Sequence, residues 1–353
     1  MPCIVRQNPQ SKAKTMRPNL FSFATKELSQ DAFIAWLLQW ASPDCQAHDP
    51  ILYECANNFA TKLLSLQTEP PVKITEIMVE RQWEKIDVCA EINGKYLLII
   101  EDKTITREHS DQLERYKEVA TKWCLEKNYQ LVCVYLKTGS ESAAILKQVK
   151  QQGFAIFGRG DFLRILNAPH ITNNIFIDFK DHLQSLEDGE NQFQTKPIKT
   201  WGDADWKGFY QALEKLRPTM LKWEKVDNSS GGFWNGLLCW QMLKDVALCL
   251  QIEQGRLCFK VGEVYENHSA TRNHYHEIVI AHCTGRSEIR RPHFGHGTYM
   301  SIATIDRVNW LGDDDALIDM NGVNARLDVY ENLYLEIIEK LKSENVSGDV
   351  IPT

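Results

Sequence analysis

The chain has 353 residues, 43% hydrophobic and 25% charged, with a formal net charge of -7. That length exceeds the size at which one hydrophobic core stops growing, so two domains of ordinary globular composition are expected. No apolar run reaches the roughly 18 residues of a membrane span, and the basic start MPCIVRQNPQSKAK lacks an apolar signal core, which speaks against secretion and for a flexible arm over residues 1–18.

The elements follow in chain order. Ser29 is placed to N-cap a helix carrying Phe33, Ile34, Trp36, Leu37, Leu38 and Trp40. Pro50 to Leu66 reads as a second helix. Val72 to Trp83 has strand composition, Lys85 to Ile92 alternates, and Lys95 to Ile100 is an apolar strand running into Glu101-Asp102-Lys103. A helix over Glu108–Leu125 and a buried strand over Gln130–Leu136 come next, with further helices at Glu141–Gln151 and Asn174–Leu186. Helix, three strands, helix, strand is a compact α/β order, predicted to span residues 19–187. Asp188–Thr200 (DGENQFQTKPIKT) is polar and aperiodic and predicts a linker. Residues 201–353 change texture. A helix at Asp203–Leu216 precedes strands at Leu221–Val226, Phe233–Trp240, Val246–Glu253 and Arg256–Gly262. A His-rich helix, a strand near Tyr299–Ile305 and a closing helix over Ala325–Lys342 complete a second, α+β domain.

Ten cysteines occur without any CxxC pair; Cys55, Cys89, Cys133, Cys249 and Cys258 sit in apolar segments, as buried free thiols of a reducing cytoplasm would. The negative net charge gives no global attraction to nucleic acid, so only a local basic groove would supply it.

The chemistry concentrates on one hairpin, Lys85 to Lys103. Along its second strand Leu97, Ile99, Glu101 and Lys103 share a face, so a carboxylate and an ammonium emerge side by side where an apolar strand leaves the core. Asp87 interrupts the first strand. A two-residue Asn93-Gly94 loop would set Asp87 opposite Ile100, whereas a three-residue loop, Asn93 to Lys95, sets it opposite Glu101. Cooperation between the carboxylates therefore requires the odd register. Two carboxylates can hold Mg²⁺, or Mn²⁺ in its place, and an adjacent lysine can orient water or neutralise charge at phosphorus, which is what phosphodiester hydrolysis needs.

Asp87 followed by Glu101-Asp102-Lys103, in that element order, resembles the PD-(D/E)XK nuclease superfamily; Ile86 stands where its name has proline. Gln112-Leu-Glu-Arg-Tyr116 is similar to the QxxxY motif of the RecB-like branch, and Gln112, Tyr116 and His109 share one helical face. Glu27 resembles the acidic residue which that branch supplies from its first helix, with Asp31 one turn later as the other candidate. The stretch is also similar to a bacterial family of the superfamily that carries a Gly-Gly-Phe-Trp run like Gly231 to Trp234. The resemblance implies a Mg²⁺-dependent deoxyribonuclease. In it Asp87, Glu101, Lys103, Gln112 and Tyr116 form the catalytic set, and Glu27, Asp87, Glu101 and Asp102, the last through its carbonyl, the metal set. DNA is the implied substrate, in phage defence, restriction or repair. The competing reading is a non-catalytic binding or interaction module on a nuclease scaffold.

Elsewhere, His268, His274, His276, His282, Cys283, His293 and His296 invite a zinc reading, but their spacing matches no finger. Some of them, with Arg286, Arg290 and Arg291, suit phosphate contacts. Trp223, Phe233 and Trp234 suit base stacking, although aromatic residues at strand spacing more often build core. Asp313 to Asp315 reads as an acidic turn, and no Walker-type run occurs. The second domain is left to recognise substrate, a protein partner or another protomer.

Overall fold

The computed structural model describes residues 17–104, 111–168, 170–227, 231–293 and 297–347. Of the expected arm only Arg17 and Pro18 are described, and Arg17 pairs with Asp178. Helix α1 (Glu27–Gln39) begins before the Ser29 cap that the sequence predicts. The Ser29 N–H donates to the Lys26 carbonyl at 2.9 Å, so Ser29 lies inside the first turn. Helix α2 (Pro50–Leu64) starts on Asp49, whose side chain accepts from the Leu52 N–H at 3.0 Å, with proline at the first helical position.

Strands β1 (Ile77–Trp83), β2 (Ile86–Ile92) and β3 (Tyr96–Lys103) form an antiparallel meander. Helix α3 (Gln112–Lys127) ends on Asn128 in the left-handed conformation and leads to β4 (Gln130–Lys137), parallel to β3. The expected start of this helix at Glu108, and His109 with it, lies outside the described residues. After α4 (Ala143–Gln151) a short strand β5 (Ala155–Gly158) joins parallel to β4 and opens directly into α5 (Arg159–Asn167), followed by α6 (Asn174–Asn191). Strand β5 has too few residues to display alternation, which is why the sequence does not announce it.

The five-stranded sheet, in order β1-β2-β3-β4-β5, is covered on both faces. Tyr96, Leu98 and Ile100 of β3 pack towards α1, α2, α5 and α6, while Leu97 and Ile99 pack towards Leu113, Tyr116 and Ala120 of α3. Two covered faces are the reason β3 reads as an unbroken apolar run.

A second sheet follows. Helix α7 (Asp203–Leu216) precedes β6 (Lys222–Val226), β7 (Phe233–Met242), β8 (Ala247–Glu253) and β9 (Arg256–Gly262). Then come α8 (His268–His282), β10 (Ile289–Arg290), β11 (Met300–Ile305), α9 (Arg307–Trp310) and α10 (Met320–Ser347). The strand order is β10-β11-β9-β8-β7-β6. Its inner face buries Leu248, Leu250, Leu257 and Phe259 against Trp206 and Tyr210 of α7 and Leu327 and Tyr334 of α10. Trp223 and Trp234 belong to this core, whereas Phe233 faces the other way.

Where the sequence predicts a linker, the chain is structured. Helix α6 continues through Asp188 to Asn191, and Phe193 and Ile198 are buried in the second core. Their burial outweighs the polar composition around them. Glu190 ties the units together, accepting from Arg159 at 2.6 Å on one side and from Gln211 of α7 at 3.2 Å on the other. The described cysteines are free, and burial pushes the thiols of Cys55, Cys89, Cys133, Cys249 and Cys258 up to about 12. No helix among the described residues is long and apolar enough to cross a membrane. On α8, His276 bonds the Ile302 carbonyl at 2.6 Å and His282 meets Glu336 at 3.5 Å; His296 lies outside the described residues.

Candidate active site

The β2–β3 turn decides the site's register. Asn93 and Gly94 are both left-handed, with φ of 56° and 58°, and the Lys95 N–H closes the turn on the Ile92 carbonyl at 3.1 Å. The Asn93 side chain anchors it by accepting from the Thr75 N–H at 2.8 Å and donating to the Lys73 carbonyl at 2.9 Å. The loop therefore has three residues, with Ile92 opposite Tyr96 and Val88 opposite Ile100. Extended by one residue beyond its last pair, that register sets Asp87 opposite Glu101, and the Asp102 N–H meets the Asp87 carboxylate there.

Glu101 is fully buried, and Lys103 beside it is 8% exposed. The Lys103 ammonium lies 2.6 Å from Glu101 Oε1 as an ion pair, yet neither Glu101 oxygen has an aligned hydrogen-bond donor. Asp87 Oδ2 accepts the Asp102 N–H at 2.9 Å, and Asp87 Oδ1 faces the Gln82 amide at 3.3 Å. Burial pushes the Glu101 carboxyl up to about 8, the Asp87 charge adds to this, and Lys103 opposes it. Burial pulls the Lys103 ammonium down, but Glu101, Asp87 and Glu27 together outweigh it, and its pKa stands above the ordinary value.

Asp102 alternates to the opposite face, so its carboxylate does not join Asp87 and Glu101. It accepts from Gln30 of α1 at 2.5 Å, and Gln30 in turn accepts from Thr138 at 2.8 Å. Burial, then the adjacent Asp31, raises Asp102 well above the usual range, and burial with the Asp87 charge raises Asp31 to about 7. Glu27, the first residue of α1, accepts from the N–H and hydroxyl of Thr104 at 3.0 and 3.2 Å, where β3 ends. The structure thus brings both acidic candidates of α1 to this strand end, Glu27 beside Lys103 and Asp31 beside Asp102.

Gln112 and Tyr116 stand on α3 above the sheet face that carries Glu101 and Lys103, and the Gln112 amide donates to the Tyr116 hydroxyl at 2.8 Å. Lys137 was not singled out by its sequence context, yet parallel pairing sets it directly beside Lys103. It is 4% exposed, 3.8 Å from Glu141, and burial lowers its pKa against the pull of that carboxylate. Gln30 also escaped the sequence; its one signal is its place a helical turn after Glu27. Lys137 carries no signal without knowing that β3 and β4 are parallel neighbours.

Among the described residues no three His, Cys, Asp or Glu side chains come together so as to hold a metal ion, so Glu27, Asp87, Glu101 and Asp102 are not gathered into one ligand cluster. What the strand ends bring together is an open pair of carboxyls, Asp87 and Glu101. Its chemistry fits a hard divalent cation: oxygen donors only, and a buried carboxyl with one oxygen that meets neither a hydrogen-bond donor nor Lys103.

A family model described as the PD-(D/E)XK nuclease superfamily matches residues 18–219, and the chain belongs to that superfamily. No curated protein and no solved structure matches the chain.

Proposed function

We propose that the protein is a Mg²⁺-dependent nuclease that hydrolyses phosphodiester bonds of DNA, with Mn²⁺ as a substitute cation. The observation that carries this reading is the buried Glu101 carboxyl beside Asp87, its Oε1 paired with Lys103 at 2.6 Å and its Oε2 without a hydrogen-bond partner. Burial and the Asp87 charge together disfavour ionised Glu101, and a divalent cation bound between the two carboxyls would offset that cost. Asp87 and Glu101 would hold the ion. In an extended strand the N–H and C=O of one residue point to the same edge, so the Asp102 carbonyl, like its N–H, is directed at the Asp87 side and can add a ligand. Glu27, at the mouth beside Lys103, is the fourth candidate. The bound ion would supply Lewis-acid polarisation and neutralise charge at phosphorus.

The chain's own groups do the rest in this reading. Lys103 keeps its proton because Glu101 and Asp87 favour the charged form, so it serves as a hydrogen-bond donor that orients the attacking water or meets developing negative charge. Gln112 and Tyr116, locked to one another, present an amide and a phenol to the substrate side. Lys137 adds a second cation one strand away. The division into a nuclease unit over residues 19–187 and a second unit from residue 201 belongs to the same reading, supported by two separate cores. Buried free thiols fit a reducing cytoplasm. Phage defence, restriction and repair each fit such an enzyme.

The test is degradation of DNA by the full chain with Mg²⁺ and its loss with EDTA. Linear duplex is expected to disappear faster than closed circular plasmid, since a single localised site gains from threading a free end. Intact DNA under every cation and substrate tried would leave a non-catalytic module on a nuclease fold instead.

A further inference from the structure

The second sheet has two unlike faces. Its inner face is core, whereas its outer face, across β6, β7, β8 and β9, forms a cavity of about 670 Å³. That volume is typical of small-molecule sites. A bulge in β7 between Leu237 and Cys239 reverses the side-chain alternation. Before it, Phe233 and Asn235 face the cavity and Trp234 the core; after it, Trp240 faces the cavity and Cys239 packs on the core. The bulge thus delivers an indole that a regular strand would have turned inward.

That indole is held in place. The Trp240 Nε1–H donates to the Tyr299 hydroxyl at 3.2 Å, which donates to Glu263 at 2.9 Å. The Tyr299 ring lies against Gly262, where an added Cβ would meet it at 2.4 Å. Trp240, Tyr299 and Phe233 give the cavity flat walls. Its charges are spent on one another: Lys222 pairs with Glu224 at 2.8 Å and Lys260 with Glu253 at 2.5 Å. The exception is Asn235, 6% exposed, whose Oδ1 has no hydrogen-bond partner. A buried acceptor left unmade costs stability and awaits a donor.

We propose that this cavity binds a nucleobase of the adenine class. Flat aromatic walls select a planar ring. A planar amide offers an acceptor beside a donor, which an exocyclic amine next to a ring nitrogen completes, as in the bidentate pairing of asparagine with adenine. Mutually neutralised lysines and carboxylates favour a neutral ring over an ion. The base can arrive as a free nucleoside or on a single strand. The proposal is independent of the nuclease reading, and its test runs in EDTA, so failure of cleavage leaves it unaffected.

Adenosine, inosine and a short oligodeoxyadenylate are titrated into the full chain by calorimetry. Adenosine binding places a free nucleoside in the cavity, and binding of the oligonucleotide alone places a base presented on a strand. In either case Asn235→Leu and Trp240→Ala should each weaken the interaction about tenfold. Inosine, which lacks the exocyclic amine, should bind about as poorly as adenosine binds Asn235→Leu. Asn235→Leu should keep or raise its melting temperature, because it removes an unsatisfied acceptor, and Trp240→Ala alters only a half-exposed rim. No binding by any probe, equal affinity for adenosine and inosine, or unchanged affinity in both variants would overturn the proposal.

Discussion

Burial and the adjacent Asp87 charge hold the Glu101 carboxyl up at about 8, so a charge on both residues at once is disfavoured in the folded protein. Removing one charge should therefore not unfold the protein. Asp87→Asn, which keeps an oxygen for the Asp102 N–H, and Glu101→Gln are expected to hold or slightly raise the melting temperature without metal. Both should abolish the stabilisation that Mn²⁺ confers on the parent by binding only the native state. Lys103→Ala should retain that stabilisation while cleavage falls by roughly a hundred- to a thousandfold, the usual cost of one lost transition-state contact. A melting series with and without Mn²⁺, beside a cleavage assay, separates these outcomes; unchanged cleavage in Glu101→Gln would remove the hairpin from the mechanism.

The same residue gives the pH dependence its sign. The folded Glu101 carboxyl sits at about 8, above its unfolded value near 4.5, so the folded state holds the extra proton between those values. Stability of the metal-free protein is then highest at the acid end of this window and falls as pH rises towards 8. A metal ion must displace that proton, so Mn²⁺ affinity should climb over the same range and level off above about 8. Calorimetric titrations in buffers of different protonation enthalpy should report proton release on binding, and Glu101→Gln should release less.

At the scale of elements, the three-residue turn matters more than any one of its side chains. Deleting Lys95 would leave the two-residue Asn93-Gly94 loop and shift β3 by one position against β2. Because side chains alternate with a period of two, Leu98 and Ile100 would leave the core face and Asp87 would stand opposite a different residue. The variant is expected to lose cleavage completely and to melt well below the parent, as circular dichroism would record. A deletion that kept activity would show that β3 reaches its register without the turn. Parallel pairing of β3 with β4 does equivalent work for Lys103 and Lys137, which helix α3 separates in sequence.

For the whole molecule, the contact between α6 and α7 is the joint that holds the two sheets in relation. Gly208 of α7 packs on the Glu190 carbonyl so closely that an added Cβ would lie 1.8 Å from the oxygen. Backbone cannot give way there as a side-chain tip would. Gly208→Ala is expected to cost about 1–3 kcal/mol, the usual range for overpacking, and to make residues 188–200 sensitive to limited proteolysis. In the parent, the continuous α6 and the buried Phe193 and Ile198 should protect the same segment. Early cleavage there in the parent would show that the joint opens in solution.

Most of the element order was legible in the sequence, the short β5 and the helix after it excepted, as were Asp87, Glu101 and Lys103 as candidates and the register their cooperation would require, because alternation along a strand and the length of a turn are local properties. The apolar run into Glu101 also carried its message locally: a strand with both faces covered has no polar side to display. Tertiary structure alone decided the rest. It turned the Asp102 side chain to Gln30, set Lys137 beside Lys103, placed Glu27 against Thr104, and took Trp223 and Trp234 into a core that left Phe233 outside. It also made helix and core of Asp188–Thr200. These outcomes depend on which distant segments meet, and burial free energy is set by the whole packed interior rather than by any stretch of chain that composition can describe.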